Sequence, residues 1–320
     1  MAKIARIRQF VFAAFAMSLI FTSGCQDTSD QAKQNKLSQT DMKTVDSPEI
    51  SQVLFHPIHV KKVRPEGAQD FDVPVAEGVQ IGCRLFLQDP ASPTILFFHG
   101  NGEIVPDYDD IAPYYLAEKI NFLVCDYRGY GWSGGTPLLS SFLEDANKVY
   151  LFMRTWLLEN NITGPLFVMG RSIGSACAID VAATHNEEIS GLIIESGFAK
   201  TIPLAKVLGL DLEAMGLTEE DTFNSGAKIA RVTKPTLLLH GQYDQLIPVW
   251  QAEMLHAECG AKQKELLIVP RADHNSLIAV AGPQYFSVIR KFIEKATGTA
   301  PDWRERRKKF KEEQKNKEQS

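Results

Sequence analysis

The sequence predicts an α/β fold, a mostly parallel sheet of about eight strands with helices on both faces, and three observations carry that prediction. Short apolar runs recur along the 320 residues, and longer stretches of helical spacing separate them. The runs are continuous rather than alternating, so the strands they form are covered on both faces, as in a parallel sheet. Two alternating segments precede them, the pattern of an antiparallel hairpin. In chain order, the hairpin covers residues 71–75 and 79–87. The apolar strands follow at 94–98, 121–125, 165–169, 191–194, 235–239 and 265–269. Helical patterns lie near 108–119, 141–160, 174–186, 249–259 and 283–295. A hairpin followed by repeated βα units builds one mixed, mostly parallel sheet, so residues 51–297 form one domain. The segment between the fourth and fifth apolar strands, 198–231, is long enough for a small helical cap and too short for a large lid.

Composition narrows the class. With 44% hydrophobic and 23% charged residues, 22 Gly and 16 Pro, the chain is neither collagen-like, nor a disordered polymer, nor a polytopic membrane protein. A net charge of -5 leaves no electrostatic footprint for nucleic acid. No 20–50-residue repeat marks a solenoid or propeller. The five cysteines, at 25, 83, 125, 177 and 259, include no C-x-x-C and exclude a zinc ribbon or a disulfide-dense scaffold. Cys125 and Cys177 lie in apolar patterns and read as buried thiols; nothing in the spacing pairs 83, 125, 177 or 259, although an exported location permits a disulfide.

The ends differ from the body. Lys3, Arg6 and Arg8 precede a twelve-residue apolar run, Phe10 to Phe21. At about 1.5 Å per residue the run spans roughly 18 Å, short of the roughly 30 Å a bilayer requires. Residues 1–24 therefore read as an export signal. Thr22-Ser23-Gly24-Cys25 resembles the lipobox of bacterial lipoproteins and departs from it at Thr22, where Leu, Val or Ile is usual. That resemblance implies lipidation at Cys25 and anchoring in the bacterial cell envelope. Residues 25–50 are polar, nearly free of aromatics, and read as a flexible tether. The tail, 298–320, is rich in charge of both signs and reads as a solvated, frayed terminus.

Chemistry in such sheets gathers in the loops at the carboxyl ends of strands. After the strand at 165–169 comes Gly170-Arg171-Ser172-Ile173-Gly174, a G-x-S-x-G between strand and helix. This is the pattern of a sharp turn that projects a serine hydroxyl, with glycines where side chains would collide. After the strand at 235–239 comes His240-Gly241-Gln242-Tyr243-Asp244, and after 265–269 come Asp273-His274-Asn275. Ser172, Asp244 and His274 thus stand in the order nucleophile, acid, base. In these roles His274 takes the Ser172 proton and Asp244 fixes the imidazole tautomer. Acyl transfer also needs two N–H donors for the developing oxyanion. The backbones of Ile173 and of Asn101, in the His99-Gly100-Asn101-Gly102 loop, are the candidates. Trp132 and Tyr243 flank these loops and are candidate substrate contacts.

Rival assignments are open to test. Glu195 ends the strand at 191–194 and competes with Asp244 as the acid, as does Asp273. His240 and His99 compete with His274, but both sit at strand ends and read as loop-shaping groups. His56, His59, His185 and His256 show no metal-ligand spacing. Gly129-Tyr130-Gly131-Trp132-Ser133-Gly134 matches the dinucleotide fingerprint G-x-G-x-x-G. However, Asp126-Tyr127-Arg128 separates it from its strand, and the position of the ribose-binding acid falls in a helical pattern. No G-x-x-x-x-G-K-[ST] supports nucleotide hydrolysis.

Together, FFHGNGE (97–103), DYRGYGWSGG (126–135), GRSIGS (170–175), HGQYD (240–244) and DHN (273–275) resemble the α/β-hydrolase superfamily over residues 70–295. The resemblance is to the small serine hydrolases that include α/β-hydrolase-domain protein depalmitoylases and their bacterial relatives. It implies hydrolysis of a carboxylic ester or thioester through an acyl-enzyme, with no metal or organic cofactor. Amide or peptide hydrolysis by the same three residues is the alternative within enzymes. A non-catalytic, membrane-tethered binding protein is the alternative outside them, and it predicts damage at catalytic positions that are all filled here.

Overall fold

The computed structural model describes residues 45–300, 302 and 307. The expectations for the export signal, for Cys25, for the tether up to residue 44 and for most of the tail fall outside the described residues.

Eight strands form one sheet in the order β1-β2-β4-β3-β5-β6-β7-β8. The hairpin pairs β1 (Ala68–Ala76) with β2 (Val79–Phe86), and β2 pairs antiparallel with β4 (Asn121–Cys125). From there every pairing is parallel: β4 with β3 (Thr94–Phe98), then β5 (Leu166–Arg171), β6 (Gly191–Glu195), β7 (Thr236–Gly241) and β8 (Lys264–Val269). Along β1, Phe71, Val73 and Val75 face the core and their neighbours face water, the alternation read from the sequence. The strands β3, β4 and β6 are buried at every residue, as continuous apolar runs require.

Two cores flank the sheet. On one face lie α3 (Leu139–Glu159) and α4 (Gly174–Thr184), with α7 (Val249–Glu258) beside them. On the other lie α2 (Ala112–Ala117), α8 (Leu277–Ala281) and α9 (Pro283–Thr297). The chain runs from β3 to β4 toward one edge, and from β5 onward toward the other. The order therefore reverses between β3 and β5, where Phe98 is registered with Gly170. A reversal leaves a crevice beyond the carboxyl ends of those two strands, and it brings the 99–103 loop beside Ser172.

Three boundaries differ from the sequence reading. The tether ends earlier than residue 50: Pro48–Leu54 is a helix, α1, with Ser47 as its N-cap and Pro48 in its first turn. Ile50 and Leu54, four apart, are buried in the first core, and each contributes about 1.5–3 kcal/mol relative to exposure. The polar average over 26–50 concealed Ile50, and its partner Leu54 lies just beyond that stretch. Second, β8 is an edge strand with Leu267 and Ile268 partly exposed, so its apolar run is not covered on both faces. Third, the cap is only partly helical, with α5 (Thr201–Val207) and α6 (Ser225–Ile229) joined by turns. Its Leu204, Leu212, Leu217 and Phe223 are buried in the first core, which leaves Val207 as its exposed large apolar side chain.

Candidate active site

Ser172 sits on a strained turn between β5 and α4. Its φ is 53°, left-handed for a residue with a Cβ, at a cost of about 1–2 kcal/mol. The turn closes only because its flanks are glycine. A Cβ on Gly170 would lie 2.2 Å from the Gly174 carbonyl oxygen, and one on Gly174 would lie 2.2 Å from the Phe98 carbonyl oxygen. The Ser172 N–H donates to the Glu195 carbonyl at 2.9 Å, which fixes the turn to β6. The N-terminal end of α4, with its positive dipole end, begins directly behind the hydroxyl.

The structure brings together Ser172, His274 and Asp244. His274 Nε2 is 2.9 Å from Ser172 Oγ, and His274 Nδ1 is 2.7 Å from Asp244 Oδ2. An Nδ1–H donated to the carboxylate leaves Nε2 as the acceptor for the serine proton. Asp244 is held by the backbone N–H groups of Leu246 (3.1 Å) and Ile247 (2.7 Å) on its other oxygen. All three residues are buried, so water competes weakly for these bonds.

The rival histidines and acids have other partners. His240 Nε2–H donates to the Ile247 carbonyl at 2.7 Å, and burial pushes its imidazole pKa down, which keeps it neutral. His99 Nε2 meets Asp126 at 3.1 Å, and Asp126 also accepts from the Val105 N–H, so this pair shapes the loop after β3. Asp273 is exposed and accepts from Ser276 and the Asn275 N–H. Glu195 pairs with Arg171 and accepts from the Tyr285 hydroxyl, not from His274.

Asn101 is anchored by its side chain. Its Oδ1 accepts from the His56 N–H at 2.8 Å and the Tyr130 hydroxyl at 2.7 Å, and its Nδ2 donates to the Leu54 carbonyl at 3.0 Å. Among the described residues, the Asn101 and Ile173 N–H groups have no hydrogen-bond partner. They are two unspent donors on either side of the crevice.

This chain is 32% identical over 208 residues to Protein bem46 of Schizosaccharomyces pombe, covering 63% of this chain and 67% of that one. The chain belongs to the α/β-hydrolase superfamily. A family model described as serine aminopeptidase, S33, matches residues 89–217 of this α/β-hydrolase. The human α/β hydrolase domain-containing protein 17B is 29% identical over 226 residues, 68% of this chain and 72% of that one. The esterase Pf2001 of Pyrococcus furiosus shares the fold, with a TM-score of 0.60 and 20% identity over 76% of this chain and 97% of that one. Membership supports a hydrolase.

Two further findings concern this α/β-hydrolase's site. Trp132 is not at the crevice: its Nε1 donates to Asp72 at 2.9 Å, and its ring lies over Gly82, where a Cβ would meet it at 2.4 Å. Lys61 and Arg84 stack on the ring from 5.4 Å each. Those contacts hold it on β2, three strand spacings or about 14 Å from β5. Gly82 leaves a flat seat that sequence spacing could not reveal. Tyr243, by contrast, projects 58% exposed from the turn before Asp244.

The second finding is a charged clamp. Arg171, beside the serine, pairs with Glu103 and with Glu195 (3.2 Å), and donates to the His274 carbonyl (3.0 Å) and Asn275 Oδ1 (2.9 Å). Glu103 in turn accepts from the Gly100 N–H at 2.7 Å and the Tyr108 hydroxyl at 2.5 Å. One guanidinium, at the end of β5, thereby ties together the loop after β3, the end of β6 and the loop after β8. Burial opposes the charge on Glu103, but Arg171 and the hydrogen bonds outweigh it and lower the pKa; at Glu195 burial wins and raises it. The signal was two charged residues, Arg171 and Glu103, inside otherwise small or apolar motifs.

Proposed function

We propose that this α/β-hydrolase is a serine hydrolase that cleaves a carboxylic ester or thioester through an acyl-enzyme. The observation that carries the proposal is the continuous hydrogen-bonded line from Ser172 through His274 to Asp244, set on a strained strand-to-helix turn. In the first step His274 removes the Ser172 proton as Oγ attacks the acyl carbon. The oxyanion forms between the Ile173 and Asn101 N–H groups, and loss of one such donor typically costs 10²–10³-fold in kcat. His274 then protonates the leaving alkoxide or thiolate. Water, deprotonated by the same imidazole, releases the acid and restores Ser172.

An ester or thioester is favoured over an amino-terminal amide by the charges present. An aminopeptidase holds the substrate ammonium with a carboxylate, yet Asp244, Glu195 and Glu103 are each committed to other partners. Tyr243 is assigned to the rim, where it contacts the substrate, and Cys25 to lipidation after export to the cell envelope. The reading is tested by comparing p-nitrophenyl acyl esters, acyl thioesters and aminoacyl anilides on the purified full chain. Ester or thioester turnover that Ser172→Ala abolishes supports it. Turnover of the anilides alone points to the amide reading. Turnover of none of these by a folded chain contradicts it and favours a binding protein.

A further inference from the structure

Cys83 of β2 and Cys125 of β4 are direct partners across the antiparallel pair, although β3 separates their strands in sequence. The flanking bond decides the type of pair. The Asp126 N–H donates to the Gly82 carbonyl at 2.9 Å, one residue beyond each cysteine, so Cys83 and Cys125 face each other at a non-hydrogen-bonded site. There Cα atoms lie about 4.5 Å apart and side chains approach most closely. A disulfide requires Cα separations of about 4.4–6.8 Å. Both side chains enter the same core, and both are buried. Burial and the neighbouring Cys125 thiol push the Cys83 thiol pKa up, and the Cys83 thiol itself points at the Ile81 carbonyl, 3.9 Å away. The other described cysteines face no cysteine across a strand pair: Cys177 lies in α4, and Cys259 is buried at the end of α7.

We propose that Cys83 and Cys125 form a disulfide when the chain folds in an oxidising compartment. The oxidant is a small-molecule or protein disulfide. A thiolate of one cysteine attacks it, forming a mixed disulfide and expelling one thiol. The second cysteine, as thiolate, then displaces the second thiol. Two protein thiols lose two electrons and two protons, and the oxidant is reduced to two thiols. Because the pair is buried in the finished fold, exchange takes place before the β1–β2 hairpin closes on β4. The cross-link fastens the sheet's outer hairpin to β4, one residue before Asp126, whose carboxylate holds His99 and the Val105 N–H. It constrains the unfolded chain and so raises the unfolding temperature. The proposal is independent of the hydrolase reading.

The test refolds the full chain carrying Cys25→Ser, which removes the fifth thiol, in a mixture of reduced and oxidised glutathione. Free thiols are alkylated and tryptic peptides mapped without reduction. The expected result is peptide 63–84 joined to peptide 120–128, with Cys177 and Cys259 alkylated. The oxidised protein melts above the dithiothreitol-reduced one, and Cys83→Ser removes the difference. Recovery of Cys83 and Cys125 alkylated from folded protein overturns the proposal. So does a scatter of linkages to Cys177 and Cys259, or a chain that folds only in reductant.

Discussion

Replacing Arg171 by Met removes one guanidinium and leaves two carboxylates facing each other. The side chain of Arg171 is 12% exposed, Glu195 3% and Glu103 25%, so water reaches the abandoned charges poorly. Breaking one partner out of such a buried network costs about 3–5 kcal/mol, because the remaining charges stay desolvated. For a domain of this size that lowers Tm by roughly 10 °C. Activity falls separately. Without the bonds to the His274 carbonyl and Asn275, the imidazole loop is no longer tied to the serine turn, and a displacement of about 1 Å costs on the order of 10²-fold in kcat. Calorimetry with ester kinetics measures both. Adding Glu103→Gln and Glu195→Gln to Arg171→Met removes the stranded charges and recovers most of the Tm, but not kcat. An Arg171→Met protein within 2 °C of the parent Tm and equally active would refute the clamp.

Three further outcomes follow from the same geometry. Ser172→Gly relieves the left-handed strain, so calorimetry shows a Tm equal to or above the parent while ester turnover is lost. Trp132→Ala lowers stability by about 3 kcal/mol through the hairpin in denaturant titration, with kcat/KM unchanged. His240 has its pKa lowered by burial, so the unfolded chain binds a proton the folded one refuses. Its contribution to stability is complete above about pH 6.5, the unfolded value, and is lost progressively below it, down to the lowered pKa of the folded chain. The Tm advantage of the parent over His240→Gln therefore shrinks between pH 7 and pH 5.

The strands and the order of the motifs were legible in the sequence because burial on both faces leaves uninterrupted apolar runs, and because turns and strand ends are local chemistry. Ser172, Asp244 and His274 could be proposed from position, each in the turn or loop that follows a strand's carboxyl end, and the fold places them within hydrogen-bond reach. What the sequence did not disclose is long-range. The pairing of Cys83 with Cys125 depends on the register of β2 against β4, strands that are not consecutive. The clamp joins Glu103 and the residue 274 carbonyl, from two loops, to Arg171 and Glu195, at the ends of two strands, and no spacing rule connects them. Trp132 was misplaced because its loop follows a strand's carboxyl end, as the site's loops do, whereas the seat offered by Gly82 carries the ring to β2. The helix α1 straddles the end of a polar stretch, and its Ile50 and Leu54 matter only once they meet the core.

An activated nucleophile at Ser172 reacts with a fluorophosphonate, and the labelling reports on the hydroxyl itself. The full chain is treated with the probe beside Ser172→Ala and His274→Ala. The expected result is a labelled parent with the adduct on Ser172, no labelling of Ser172→Ala and a strongly slowed reaction in His274→Ala. A folded parent that takes up no probe, or that carries it on another serine, would rule out Ser172 as the nucleophile.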